Sequence, residues 1–152
     1  MDSQIIIFTD GSYSSKTKRA GYGIYFPNEP LSNVSKPFNI KPITSQRAEL
    51  YAIYIALRRA IKSKPSKIMI YTDSNYSINS ITKWMSGWIN NGWMTSNDQP
   101  VKNKDILTKI NKIYTKHKDI IIFKHVASHT KKNDIISQGN DIADKLAKRH
   151  SL

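Results

Sequence analysis

Acidic residues are scarce in this 152-residue chain, 11 Asp and Glu against 24 Lys and Arg, yet several stand where a fold would gather them. Asp10 ends the run Ile5-Ile6-Ile7-Phe8-Thr9, and Asp73 ends Lys67-Ile68-Met69-Ile70-Tyr71-Thr72. Both runs are short, apolar and β-branched, the pattern of strands buried on both faces. An acid at the carboxyl end of such a strand sits where open α/β sheets place their ligands. Glu49 lies near the start of a helical stretch and can lean back over the first strand, and an acid early in the last helix, Asp141 or Asp144, can close the ring. Converging carboxylates repel unless a cation neutralises them. With oxygen ligands and no cysteine in the chain, Mg²⁺ or Mn²⁺ fits best, and two such ions about 4 Å apart clamp the attacking and leaving oxygens of a phosphodiester.

Each acid taken singly has an ordinary explanation. Asp10-Gly11 is a common turn opening, Glu49 suits a helix N-terminus, and Asp73 can cap the segment after it. Asp141 and Asp144 can be solvated helix surface. The chemical reading rests on their meeting at one point.

The elements that must bring them together follow in order. Ala20 to Phe26 alternates small and aromatic residues and stops at Pro27, a hairpin partner for the first strand. A weaker strand over 33–40 makes a three-strand meander, and Pro37 confines it to an edge. From Thr44 the period becomes helical: Ala48, Leu50, Ala52, Ile53, Ile55, Ala56, Leu57 and Ala60 form an apolar stripe that begins at a Thr44 or Ser45 cap and ends before Pro65. The Lys67–Thr72 strand is followed by a helical segment over 74–83, then by 84–102, which holds all three tryptophans among glycine, asparagine and flanking lysines. A helix over 103–117, a strand over 119–126, a polar loop over 127–138 and a final helix carrying Ile142, Ala143, Leu146 and Ala147 complete the chain. Hairpin strands followed by helix-linked strands predict an α/β fold with a mixed five-stranded sheet, three antiparallel strands and then two parallel ones, flanked by helices.

One domain over 1–152 is expected from length. The formal charge of +13 favours a polyanionic partner. The lysines are spread along the chain, not gathered on one amphipathic face, and no apolar run nears the roughly 20 residues of a membrane span, so nucleic acid is expected and a membrane is not. The first strand begins almost at once, with no secretory or transit segment, so a cytoplasmic location is expected and a nuclear one is compatible.

Five blocks closely resemble type 1 ribonuclease H: Phe8-Thr9-Asp10-Gly11-Ser12, Thr44 to Leu50, Tyr71-Thr72-Asp73-Ser74, Trp84 to Ser96, and Gly139 to Ala147. They span nearly the whole chain in the right order. The resemblance implies an endoribonuclease that cuts the RNA strand of RNA–DNA hybrids, largely without regard to sequence. It implies two Mg²⁺ ions, replaceable by Mn²⁺, and 5′-phosphate and 3′-hydroxyl ends. It selects Asp144 over Asp141, so that Asp10, Glu49, Asp73 and Asp144 are the expected metal ligands, and it assigns His129 to proton transfer or product release. It assigns Gly11, Ser12, Ser45, Gln46 and Glu49 to the RNA strand, Thr44 and Asn103 to a DNA-phosphate pocket, and Trp84, Trp88 and Ser96 to a deoxyribose channel. Ser45 stands where the family commonly has Asn, and Pro42 where a basic residue is frequent, with Lys41 adjacent. The interval from His129 to Asp144 is longer than usual. No separate hybrid-binding domain is expected, and a monomer is. Two other classes share the fold: a non-catalytic nucleic-acid-binding module, to which four acids facing phosphate bring nothing, and a DNA nuclease, which the Gln46-Arg47-Ala48-Glu49 block and the tryptophans disfavour.

Overall fold

The computed structural model of the chain describes residues 3–28, 31–127 and 134–152. Its centre is β1, Gln4–Ser14. On one side β1 pairs antiparallel with β2 (Arg19–Tyr25), Asp10 opposite Gly23, and on the other it pairs parallel with β4 (Lys67–Thr72), Ile7 opposite Ile70. Antiparallel β3 (Val34–Phe38) forms one edge and parallel β5 (Ile121–His125) the other, giving the order β3-β2-β1-β4-β5. This is the mixed five-stranded sheet that the pattern predicts, with Pro37 on the edge strand.

Strand alternation divides the core. Ile5, Ile7, Tyr22, Ile24, Ile68 and Ile70 join the cluster under α1, Ser45–Ile61. Helix α1 starts where Thr44, in extended conformation, accepts a hydrogen bond from the Arg47 backbone N–H at 3.1 Å, and it buries Leu50, Ile53 and Leu57 completely. Burial of each such side chain is worth about 1.5–3 kcal/mol. Helix α4, Lys104–His117, adds Ile106, Leu107 and Ile110 behind α1. The opposite face is covered by α5, Ile135–Lys148, through Ala143, Leu146 and Ala147.

Both helices lie unusually close to the sheet because glycines face them. A Cβ on Gly11 would collide with the α1 backbone at Ala48 and Glu49, and one on Gly23 with the α5 backbone at Ala143 and Ala147. The absence of a side chain at these two positions sets the depth of the helices, and so the reach of the acids they carry.

The structure departs from the sequence expectation in several places. Helix α5 begins at Ile135, within the expected loop, because the Asp134 side chain accepts from the Ser137 backbone N–H at 2.7 Å and caps it there. Ile135, 78 % exposed, and Ile142 lie off the buried stripe, which small residues fill, so apolar periodicity placed the start too late. The helical segment after Asp73 is also not uniform. It runs as α2 (Asn75–Asn79), a π-helical turn (Ser80–Trp84) and α3 (Met85–Asn90), and its cap is Ser74, which accepts from the Ser77 N–H. The edge strand is shorter than 33–40, and β5 shorter than 119–126.

Gly23→Ala is expected to destabilise the protein by about 1–3 kcal/mol in urea unfolding, the usual cost of overpacking, because the obstructing atoms belong to a helix backbone. An unchanged midpoint would show that α5 can retreat at no cost.

Candidate active site

Asp10 and Asp73 lie two residues beyond the pair Phe8 and Tyr71, where the parallel pairing of β1 with β4 ends, although β1 itself runs on to Ser14 against β2 and so does not stop at Asp10 as its apolar run suggested. Glu49, one turn into α1, comes down over Gly11, where no Cβ holds it off. One carboxylate oxygen from each of Asp10, Glu49 and Asp73 lies within 4.8 Å of the others. Asp144, on α5, approaches Asp10 from the opposite face of the sheet, close enough to raise its pKa, though it is not among the three acids that converge within 4.8 Å. The exposed Asp141 makes no such approach, so the choice that spacing alone leaves open falls to Asp144.

The electrostatics follow from this crowding. Asp10 is 4 % exposed. Burial first, then the charge of Asp73, the hydrogen bond with Asp144 and the charge of Glu49 push its carboxyl up to about 9. Burial and Asp73 push Glu49 up to about 7, although a hydrogen bond with Ser74 pulls the other way. A site that holds carboxyl groups protonated near neutrality lacks positive charge at its centre. Hard oxygen donors, converging and under-neutralised, fit a divalent cation of the Mg²⁺ or Mn²⁺ type. Among the described residues, Lys148 brings a cation close by, its Nζ 3.0 Å from Asp144 Oδ2 one helical turn away.

Around the acids, the Gly11 backbone N–H donates to Asp10 Oδ1 at 2.9 Å, and the Ser12 hydroxyl meets that of Ser151 at 2.9 Å. Thr44, Ser45 and Gln46 are exposed on the first turn of α1. Thr44, Gln46 and Asn103 line a cavity of about 530 Å³ together with Lys41, Pro42, Arg47, Lys102 and Asp105. Two lysines thus border the pocket in which Pro42 stands for a basic residue. Asn103, left-handed at φ 67°, is fixed there: its amide donates to the Tyr76 hydroxyl at 2.8 Å, and its carbonyl oxygen accepts from Arg47 Nη1 at 3.3 Å. Trp84 is 42 % exposed, and its ring lies 5.9 Å from that of Trp88 and 6.3 Å from that of Tyr76. Trp88 and Trp93 pack partly against the core, while Ser96 is exposed. His129 falls outside the described residues.

Sequence reasoning missed the buried anchor of this region. The Arg47 side chain, 3 % exposed, makes paired hydrogen bonds to Asp105 at 2.8 and 2.7 Å and a third to the Lys41 carbonyl at 3.2 Å. These contacts hold the start of α1, the start of α4 and the loop before α1 in one unit. No local signal links residues 58 apart. The hydrogen bonds from Arg47 hold the Asp105 carboxyl below its ordinary range.

Two stability measurements test this account. Asp105→Asn is expected to cost about 1–3 kcal/mol, less than loss of a fully buried partner because Asp105 is half exposed. Its folded pKa is depressed, so its contribution is present above the unfolded value of about 3.9 and fades as pH falls through the folded one. Asp10 and Glu49 act in the opposite sense: their folded pKa values are raised, so without metal the protein loses stability as pH climbs from about 4 towards 7 and then 9. Asp10→Asn in EDTA is therefore expected to stabilise the fold on the order of 1 kcal/mol or more at pH 8, about 2–4 °C in Tm, with a smaller gain at pH 5. A destabilised Asp10→Asn protein would contradict the repulsion.

A sequence profile of the RNase H family matches residues 2–151. Ribonuclease H1 of Mus musculus is 38% identical over 152 residues, covering 97% of this chain and 50% of that protein. Ribonuclease HI of Rickettsia prowazekii is 38% identical over 148 residues, covering 97% and 90%. The chain thus spans about half the length of the mouse relative and most of the rickettsial one. Among solved structures, the foamy viral protease-reverse transcriptase in complex with RNA/DNA hybrid superposes with a TM-score of 0.81 at 27% identity, covering 99% of this chain and 20% of that one. Profile, identity and superposition agree with the strand order and with the acids gathered at Asp10: the chain belongs to the RNase H family.

Proposed function

We propose that this chain is an endoribonuclease that hydrolyses the RNA strand of RNA–DNA hybrids, leaving 5′-phosphate and 3′-hydroxyl ends. The observation that carries the proposal is the meeting of Asp10, Glu49 and Asp73 within 4.8 Å, with Asp144 against Asp10, in a molecule of charge +13. Family membership and a foamy viral relative in complex with RNA/DNA hybrid support the substrate class.

In this reading Asp10, Glu49, Asp73 and Asp144 hold two divalent ions, Mg²⁺ or in its place Mn²⁺. When bound, the pair supplies a water nucleophilic at neutral pH and a stabilised leaving oxygen, which suits a site with no side-chain nucleophile. The buried position of Asp10 fixes one carboxylate rigidly, and its Gly11 N–H contact orients it. Lys148 offsets the charge of Asp144. His129 is assigned proton delivery to the leaving group by its match to the family motif.

The two strands are read separately. The 2′-hydroxyl is what distinguishes RNA locally, and the Gly11 and Ser12 backbone with Ser45, Gln46 and Glu49 is placed to read it. On the DNA side, Thr44 and Asn103 present hydroxyl and amide to a phosphate within the Lys41–Lys102 pocket, the amide keeping one hydrogen free after its bond to Tyr76. Trp84, Trp88 and Ser96 form the adjoining wall for deoxyribose. Base edges are not contacted in this scheme, so cleavage is largely sequence-independent. Residues 1–152 act as one catalytic unit, a monomer whose own lysines and arginines bind the duplex.

The deciding assay offers labelled RNA–DNA hybrid, duplex RNA and duplex DNA with Mg²⁺ or with EDTA. Only the hybrid is expected to be cut, in its RNA strand and only with metal. Asp10→Asn should slow cleavage by at least about 10³-fold, ~4 kcal/mol of barrier, while hybrid binding persists. Binding should weaken on the order of tenfold or more between 50 and 200 mM salt. Duplex-DNA cleavage, or full activity in Asp10→Asn, would overturn the proposal.

A further inference from the structure

A second basic cavity lies on the α1 face of the sheet, next to the edge strand and apart from the acids. It has a volume of about 360 Å³ and is bordered by Tyr22, Lys36, Tyr51, Arg58, Arg59 and Lys62. Arg58 and Arg59 follow Glu49 by nine and ten residues, about 14 Å along the helix axis.

Its wall is built. Tyr22 and Lys36 are directly paired across β2 and β3 and so share the α1 face, and the Tyr22 ring packs edge-on against Tyr51 at 5.2 Å. Tyr22 is only 5 % exposed. Burial and the neighbouring Tyr51 keep its hydroxyl protonated above the ordinary range, although Arg59 and Arg58 stand close enough to pull it down. Arg58 lies 5.8 Å from the centre of the Tyr54 ring, which fixes one side of its guanidinium.

Four cations border this cavity and no carboxylate does. Ion pairs among the described residues are Arg47–Asp105 and Lys148–Asp144, so none of the four is paired with an acid among the described residues. The helix dipole accounts for basic residues in the last turn of α1. It does not account for Lys36, which arrives from a strand.

We propose that this cavity binds a phosphate monoester. Two guanidinium forks and two ammonium groups match a dianionic terminal phosphate, and the Tyr22 and Tyr51 hydroxyls donate to its remaining oxygens. The volume exceeds that of a lone phosphate and admits an attached sugar. The same chemistry is carried by a free nucleotide and by the 5′-phosphorylated end of an oligonucleotide.

The test is calorimetric titration of the intact chain in EDTA, which separates it from any nuclease activity. Inorganic phosphate, AMP, adenosine, and a DNA dinucleotide with and without 5′-phosphate are the probes. Phosphate and AMP are expected to bind saturably and adenosine not at all. Tighter binding of AMP than of the phosphorylated dinucleotide identifies a nucleotide site, and the reverse a strand-end site. Arg58→Gln with Arg59→Gln should weaken binding about tenfold or more and Tyr22→Phe severalfold, while Lys124→Gln, on the opposite edge strand β5, leaves it unchanged. Circular dichroism checks that each variant is folded, and Lys36→Gln with Lys62→Gln is the substitute should the arginine pair fail to fold. Absence of saturable phosphate and AMP binding, indifference to the arginine substitutions, or loss in Lys124→Gln would overturn the proposal.

Discussion

The arrangement depends on how closely two helices can approach one sheet. β1 and β2 meet α1 and α5 from opposite faces, and at Gly11 and Gly23 any side chain would strike helix backbone. This proximity lets Glu49 come down and Asp144 come across to Asp10. Carboxylates are short, and a helix held off by even a methyl group would carry its acid out of range. The reach of the acids is therefore set by van der Waals contact between glycine and helix backbone.

Two ways of burying charge appear side by side. Arg47 is buried with its partners in place, paired to Asp105 and bonded to the Lys41 carbonyl, and it ties together segments that line the larger basic cavity. Asp10 and Glu49 are crowded instead by other acids, and their carboxyl groups retain protons well above the usual range. The first arrangement stabilises the fold. The second strains it at neutral pH and is relieved by a counter-charge from outside, which places the instability where a ligand can relieve it.

Much of this could be read from residue order. The β-branched runs before Asp10 and Asp73, the small-and-aromatic strand after the hairpin and the stripe of α1 specify the sheet and its main helix, because burial on known faces dictates their periods. The convergence of Asp10, Glu49 and Asp73 follows from strand ends and a helix start. The choice of Asp144 over Asp141 did not follow from periodicity, since both acids sit on polar positions of α5; the resemblance made it, and of the two it is Asp144 that stands close enough to Asp10 to raise its pKa. Arg47–Asp105 was invisible because pairing over 58 residues leaves no local trace. The start of α5 was misplaced because its first turn is held by a polar cap while an isoleucine faces water. The π-helical turn after α2 likewise has no signature in composition.

The edge strand β3 has a bearing on how copies of this protein behave when crowded. Its outer rim carries Pro37, which has no amide hydrogen to offer, beside the exposed Lys36, and the opposite rim at β5 ends in the exposed pair Lys124 and His125. A molecule of this charge will gather many copies along one polyanion, raising their local concentration far above that in bulk. Blunted rims of this kind give an arriving neighbour no ladder to extend, so such gatherings stay reversible instead of setting into cross-strand aggregates.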